Sequence, residues 1–351
     1  MSVIWLAIAL FLFLWSLLAV APAPTFWAFL LSVAAREYGI YPAVLSLVFL
    51  AVSWRDNVFA AGGFAAAAVL FLSAWPRAWM FARKHGLDFF AVPRGGGAVR
   101  EERLVFEDSL HADCFWQPGG SCRPLVVVVH GGGWEGGNTR ESLGFLRALA
   151  RDGCFVASVS YRLAPQACWP AQRDDVLAGL RAVLARAEEW GIDRSRVYLL
   201  GASAGGQIAS AVACSGLAPS LAGCMAFYAP FDMLFAYEHG REDDMLRSPQ
   251  LLRQVFGGTP DAVPGNYRSA SAYHLLSPAS PPFLVLHGSR DDLVWAAQSR
   301  RFATRAHEVG VPCEYYELPW ANHAFEHNSS GPGGRIAAAA VRKFLFGTAG
   351  R

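Results

Sequence analysis

Arg196-Val-Tyr-Leu-Leu-Gly201-Ala-Ser203-Ala-Gly205-Gly206 decides the reading of this chain. A short apolar strand runs into G-x-S-x-G, and small residues suited to a closely packed helix follow. Glycines on both flanks permit a turn too sharp for a side chain, which lifts the Ser203 hydroxyl above the end of a parallel sheet. A serine hydroxyl is a weak nucleophile by itself. The motif therefore needs a base, an acid to orient that base, and donors for an oxyanion. After such an elbow the acid and then the histidine are expected downstream, with the donor loop upstream.

All of these parts occur in that order. Leu125–Val129 is a continuous apolar run, as a sheet-centre strand should be, and it ends in His130-Gly131-Gly132-Gly133-Trp134. Glycines there leave backbone N–H groups open to an oxyanion. Phe283–His287 is a second buried-strand pattern, followed by Gly288-Ser-Arg-Asp291-Asp292. The strand-like Glu314–Leu318 leads into Pro319-Trp320-Ala-Asn-His323-Ala-Phe325.

From about Val99 onward the chain resembles the α/β-hydrolase superfamily, close to the esterases and lipases with an H-G-G-G oxyanion loop. The residues that carry the resemblance are H-G-G-G-W at 130–134, Y-R-L-A-P at 161–165, G-A-S-A-G-G at 201–206, H-G-S-R-D-D-L-V at 287–294 and N-H-A-F at 322–325. Two positions depart from the hormone-sensitive-lipase-like group. Ala202 precedes the nucleophile where Asp or Glu is usual, and the acid motif lacks D-P-L. The resemblance implies a mainly parallel sheet with helices on both faces, and a Ser203–His323–Asp291 triad. It places the acid four residues after His287, at Asp291, while the residues alone leave Asp291 and Asp292 as competitors.

In this reading His323 accepts the Ser203 proton during attack on an ester carbonyl and returns it to the departing alcohol. Asp291 fixes the histidine tautomer, and the backbone N–H groups of Gly131, Gly132, Gly133 and Ala204 hold the oxyanion. Trp134, Trp295 and Trp320 are candidates to line an apolar pocket, with ordinary loop packing as the alternative. His130 and His287 end strands, where a histidine more often holds a loop than moves protons; His274 and His327 lie outside the expected loop position.

Two other motif matches fail on context. Gly131-x-Gly133-x-x-Gly136 fits the dinucleotide fingerprint, but Glu135 would repel a pyrophosphate and no ribose-binding acid ends the next strand. His323-Ala-Phe-Glu326-His327 spells H-x-x-E-H, yet Pro319 before it and 328–334 after it disfavour the helix a zinc site needs. No metal and no cofactor are expected.

The first 80 residues follow different physics. Val3–Val20, Tyr38–Trp54 and Val58–Trp75 carry no charge, and 18 residues of helix cover roughly 27 Å, close to a bilayer's hydrocarbon thickness. Trp54 and Trp75 with Arg55 and Arg77 read as interfacial anchors. The expectation is three transmembrane helices within residues 1–80, with Phe26–Ala35 interfacial or re-entrant. A signal peptide over Val3–Val20 is the competing reading. The lack of an N-terminal Lys or Arg and the length of the apolar core oppose it. With three crossings, Arg36, Arg77, Arg83, Lys84 and Arg94 share the catalytic side, which the positive-inside tendency puts in the cytoplasm. The seven cysteines show no paired spacing, in keeping with that side.

Of 351 residues 54% are hydrophobic and the net charge is +2, with no basic stripe, so no nucleic-acid partner is expected. The expected partners are a small-molecule or lipid ester and membrane lipid; nothing in the pattern sets an oligomeric state. Pro93–Gly97 reads as the junction to a catalytic domain over 98–347. Strands are expected near Arg103–Glu107, Asp113–Trp116, Phe155–Ser160, Val197–Leu200 and Ala222–Tyr228. Helices are expected over Arg140–Arg151, Arg173–Trp190, Ala204–Cys214 and Ile336–Phe346. The interval Phe231–Leu276 breaks the alternation and reads as a small cap insertion. The sum is a membrane-anchored serine carboxylesterase or lipase. Its rivals are an amide, peptide or prenylcysteine methyl ester hydrolase on the same triad, and a non-catalytic binding or scaffold protein.

Overall fold

The structure, a computed structural model, describes residues 2–120 and 122–347. The chain divides into two compact units. One comprises the chain up to Ala91 with Gly288–Asp292 and Leu318–Ala339; the other comprises Val92–His287, Leu293–Glu317 and the chain from Ala340.

In the first unit, runs of Leu, Ala and Phe favour helix. They form α1 (Ser2–Leu17), α2 (Phe26–Glu37), α3 (Ile40–Ser53), α4 (Val58–Leu72) and α5 (Ala74–His85). Thr25 Oγ1 caps α2 by accepting from Ala28 N, and Asn57 caps α4 by accepting from Phe59 N and Ala60 N. Ala9, Ala43, Ala60 and Ala67 form much of the shared core with Phe64 and Phe71, because small side chains let helices approach closely. The outer faces expose Phe11, Trp27, Val44, Val48, Phe59 and Val69.

The helices differ from the three expected spans. Val58–His85 is one apolar helix of 28 residues, since Pro76 falls in the first turn of α5, where a missing N–H is tolerated. Among the described residues it is the one helix long and apolar enough to cross a bilayer alone. A second span exists only if α2 and α3, bent by 76° at their break, count together. Helix α1 stops at Leu17, where i−3 bonds tighten the chain through Val20, and α3 has 14 residues.

The second unit is built on an eight-stranded sheet. Its strands are β1 (Arg100–Glu107), β2 (Leu110–Trp116), β3 (Arg123–Val129), β4 (Phe155–Val159), β5 (Ile192–Ala202), β6 (Gly223–Phe227), β7 (Phe283–Gly288) and β8 (Cys313–Leu318). They lie in the order β1-β2-β4-β3-β5-β6-β7-β8. β1 and β2 pair antiparallel, as does β2 with β4, while β3 through β7 run parallel. Every residue of β3, β4 and β6 is buried, which explains why they are mostly apolar, with Leu125–Val129 a continuous run.

Between the strands lie α6 (Leu143–Arg151), α7 (Ala171–Ala185), α8 (Ala187–Trp190) and α9 (Ala204–Cys214). Helix α6 starts three residues later than the sequence suggests because Asn138 Oδ1 caps a turn at Arg140 N and Ser142 takes φ +51°. The long helix expected to Trp190 breaks at Arg186 into α7 and α8. The interval 231–276 folds as four short helices, α10 (Met233–His239), α11 (Ser248–Phe256), α12 (Pro264–Ala270) and α13 (Ala272–Leu275). Helix α14 (Ala297–Glu308) lies between β7 and β8 in sequence, and α15 (Pro332–Phe346) closes the chain.

Candidate active site

Ser203 caps α9 at the end of β5 with φ +55° and ψ −124°, a conformation an L-residue adopts only under constraint. The constraint is visible on both sides. Ser203 N donates to Phe227 O at 2.9 Å, and Gln207 N returns to Ser203 O at 3.0 Å. A side chain at Gly205 would collide with the carbonyl oxygens of Val129 and His130, and one at Gly201 with that of Gly205. The flanking glycines thus let α9 press against the sheet and force the turn. Ala204 N opens the helix, where N–H groups lack an intrahelical acceptor and the dipole is positive.

The glycine loop lies against this elbow. A Cβ on Gly131 would stand 3.5 Å from Ser203 Cβ and 3.1 Å from Ala202 O. Gly132 has φ +106°, and a side chain there would meet the Gly136 carbonyl. His130 Nδ1 lies 2.8 Å from Gly131 O, so in the neutral ring Nδ1 carries the proton and donates. Burial holds the His130 pKa below its ordinary value, against the opposing pull of that hydrogen bond. Tyr161 stacks on the His130 ring and its hydroxyl donates to His130 O at 3.0 Å. Trp134 is buried, and its Nε1 donates to Gln207 Oε1 at 2.8 Å; Gln207 Nε2 donates onward to Ala270 O at 2.7 Å. The indole is thus engaged as a strut between loop and helix.

In the first unit, Asp291 and His323 meet. His323 Nδ1 lies 2.7 Å from Asp291 Oδ2, with the Asp291 side chain fully buried and 8% of the His323 side chain exposed. Asp292 faces elsewhere, accepting from Asn322 Nδ2 at 2.8 Å and Ala23 N at 3.3 Å. The rival His287 is locked at both nitrogens, to Ser299 Oγ at 2.6 Å and Val294 O at 2.9 Å. Trp320 is buried against Phe81, while Trp295 is half exposed beside Phe235. The Ser203 elbow and the Asp291–His323 pair belong to different compact units; their union is part of the function proposed for the chain.

Comparison with known proteins gives this geometry its context. The BD-FAE family model matches residues 117–305, more than half of the chain. The chain belongs to the BD-FAE family. It is 30% identical over 218 residues to the esterase LipC of Mycobacterium tuberculosis, covering 58% of this chain and 53% of that protein. To an ethyl acetate hydrolase of Pseudomonas putida it is 38% identical over 216 residues, covering 57% and 65%. The chain spans about half the length of the first curated relatives it matches. Among solved structures, an esterase of Pyrobaculum calidifontis superposes with a TM-score of 0.62 at 21% identity, covering 78% of this chain and 90% of that one. The fold of this BD-FAE member is accordingly that of the α/β-hydrolase esterases.

Three residues to which the sequence reading gave no role brace these parts, Tyr161 and Gln207 in the second unit and Asn322 in the first. Tyr161 was legible only as part of a motif, Gln207 as a polar residue one turn after Ser203 on a small-residue helix, and Asn322 as the neighbour of a histidine. A buried polar side chain must find partners, so a lone Gln in an otherwise apolar helix is a usable signal. The partners themselves lie 63 to 73 residues away in sequence for Gln207.

Proposed function

We propose that this chain is a membrane-anchored serine carboxylesterase or lipase acting on uncharged or lipid-like carboxylic esters. The observation that carries the reading is the buried 2.7 Å Asp291–His323 pair, formed by the loops after two strands of a sheet whose centre ends in a strained serine elbow. The esterase names of the relatives support the reaction class.

In the proposed cycle His323 Nε2 takes the Ser203 proton as the hydroxyl attacks the ester carbonyl. The imidazolium is stabilised by Asp291, which itself stays ionised. Backbone N–H groups of Ala204 and the Gly131–Gly133 loop hold the oxyanion, each donor contributing on the order of 10² to 10³ in turnover. His323 then protonates the leaving alcohol and activates the water that frees the acid. No cofactor takes part in this scheme.

The anchor in this reading is Val58–His85, roughly 42 Å of helix against about 30 Å of hydrocarbon. Exposed Phe59 on this helix and exposed Phe11, Trp27, Val44 and Val48 on α1 to α3 favour lipid as their surroundings, since soluble proteins rarely expose large apolar patches. Arg77, Arg83 and Lys84 in α5 support a cytoplasmic side for the chain that follows, by the positive-inside tendency.

p-Nitrophenyl esters of increasing chain length, given to the full chain in detergent and to Ser203→Ala, test the reaction. The proposal expects wild-type hydrolysis and a loss on the order of 10⁶ in kcat in the variant. Equal, near-zero rates in both would move the chain to the binding or scaffold class.

A further inference from the structure

The loops carrying Asp291 and His323 are tied to the N-terminal segment at the residues flanking both. Arg290, just before Asp291, donates through Nη1 to Val20 O. Asp292, just after it, accepts from Ala23 N at 3.3 Å. The same connector is held by Arg36, whose Nε and Nη2 donate to Ala19 O and Ala21 O at 3.1 and 2.9 Å. Asn322, just before His323, joins the acid loop, the histidine loop and α2. Its Oδ1 accepts from His323 N at 2.8 Å and Asp292 N at 3.0 Å. Its Nδ2 donates to Asp292 Oδ2 at 2.8 Å and to Ser32 Oγ, on α2, at 2.9 Å.

An asparagine amide offers two donors and two acceptor sites, and here all four are engaged. Oδ1 faces two backbone N–H groups, so a flipped amide would set donors against donors and one orientation is specified. An aspartate in its place would face the Asp292 carboxylate, and an alanine would leave buried partners unmatched. Asn322 therefore fixes the distance between the backbone of the histidine loop and that of the acid loop. Ser32, fully buried and itself donating to Phe29 O at 2.9 Å, references that joint to α2. On its other side α2 exposes Phe26, Trp27, Leu30 and Leu31.

We propose that Asn322 is a positioning residue for the Asp291–His323 pair, and that through Ser32 the N-terminal segment is a working part of the catalytic machinery as well as an anchor. The proposal rests on the hydrolase reading, in which His323 is the base. A misplacement near 1 Å at such a group costs roughly 10²-fold in rate.

The test uses the full chain in detergent with a short-chain p-nitrophenyl ester. A fluorophosphonate titration counts competent Ser203 sites, so kcat is expressed per titrated site. Asn322→Ala is expected to lower kcat per site by roughly 10²-fold with KM little changed. Ser32→Ala should lower it by a smaller factor and have no further effect in the Asn322→Ala background, because both act through one joint. If the variants lose only titratable sites, with kcat per remaining site unchanged, Asn322 is a structural staple and the proposal is overturned. Should Asn322→Ala fail to fold, Ser32→Ala decides alone: unchanged kcat per site overturns the coupling to α2. A folded wild type that neither labels nor hydrolyses any ester overturns the hydrolase reading and this proposal with it.

Discussion

Asp291 and Asp292 have the same side chain and adjacent positions, and their surroundings give them different work. Asp291 accepts from His323 in a buried setting, while Asp292 holds Asn322 and Ala23. Asp291→Asn should therefore lower kcat by about 10⁴, as loss of a triad acid does through the wrong histidine tautomer. Asp292→Asn should cost no more than roughly 10², the scale of mispositioning. Steady-state kinetics on the two variants separate these outcomes, and a reversed order would reassign the acid. At His130 the argument concerns stability. Burial depresses its pKa in the folded chain, so as pH falls through about 6.5 the unfolded chain binds a proton that the folded chain refuses. The contribution is present above that pH and lost below it. Thermal midpoints at pH 7.5 and 5.5 should converge in His130→Gln relative to wild type. The candidates Ser203, Asp291 and His323 stood out in the sequence because each follows a recognisable strand inside a short motif. Tyr161, Gln207 and Asn322 were not, because their value lies in partners distant along the chain, which spacing does not reveal.

The strand-to-helix elbow is the element that places the proposed nucleophile. β5 and α9 are joined at a single strained residue, and α9 is buried from Ala204 to Ala213. Gly205 is the contact point, since any side chain there meets the β3 carbonyls of Val129 and the following His130. Gly205→Ala should destabilise the fold by about 1–3 kcal/mol through overpacking, and thermal unfolding checks it. Wild-type stability in that variant would mean the helix does not need so close an approach. Helix α9 was read to its ends from the sequence because small residues bounded by the elbow leave little choice. Helix α5 was not, since the uncharged run stops at Trp75 while the helix continues through Arg77 and Arg83 to His85. Helix α6 was read too long because an Asn138 cap competes with helix over residues 138–142.

At the scale of the whole molecule, the sequence separates an apolar N-terminal quarter from an α/β remainder at Pro93–Gly97. What it does not reveal is that Gly288–Asp292 and Leu318–Ala339 group with the N-terminal helices, because contacts such as Asn322–Ser32 join residues 290 positions apart, which spacing does not show. The proposed topology has a direct consequence for accessibility. Cys122 and Cys168 are exposed, so an impermeant maleimide should label them in intact cells only after permeabilisation if the catalytic side is cytoplasmic. Labelling without permeabilisation would reverse the orientation. The central claim is that Ser203 is an activated nucleophile served by His323. Reaction of the full chain in membranes with a fluorophosphonate, followed by mass spectrometry of the modified peptide, tests it most directly. The account predicts an adduct on Ser203, absent in Ser203→Ala and formed at least about 10²-fold more slowly in His323→Gln. Folded protein left unmodified at Ser203, or modified equally fast without the histidine, would contradict it.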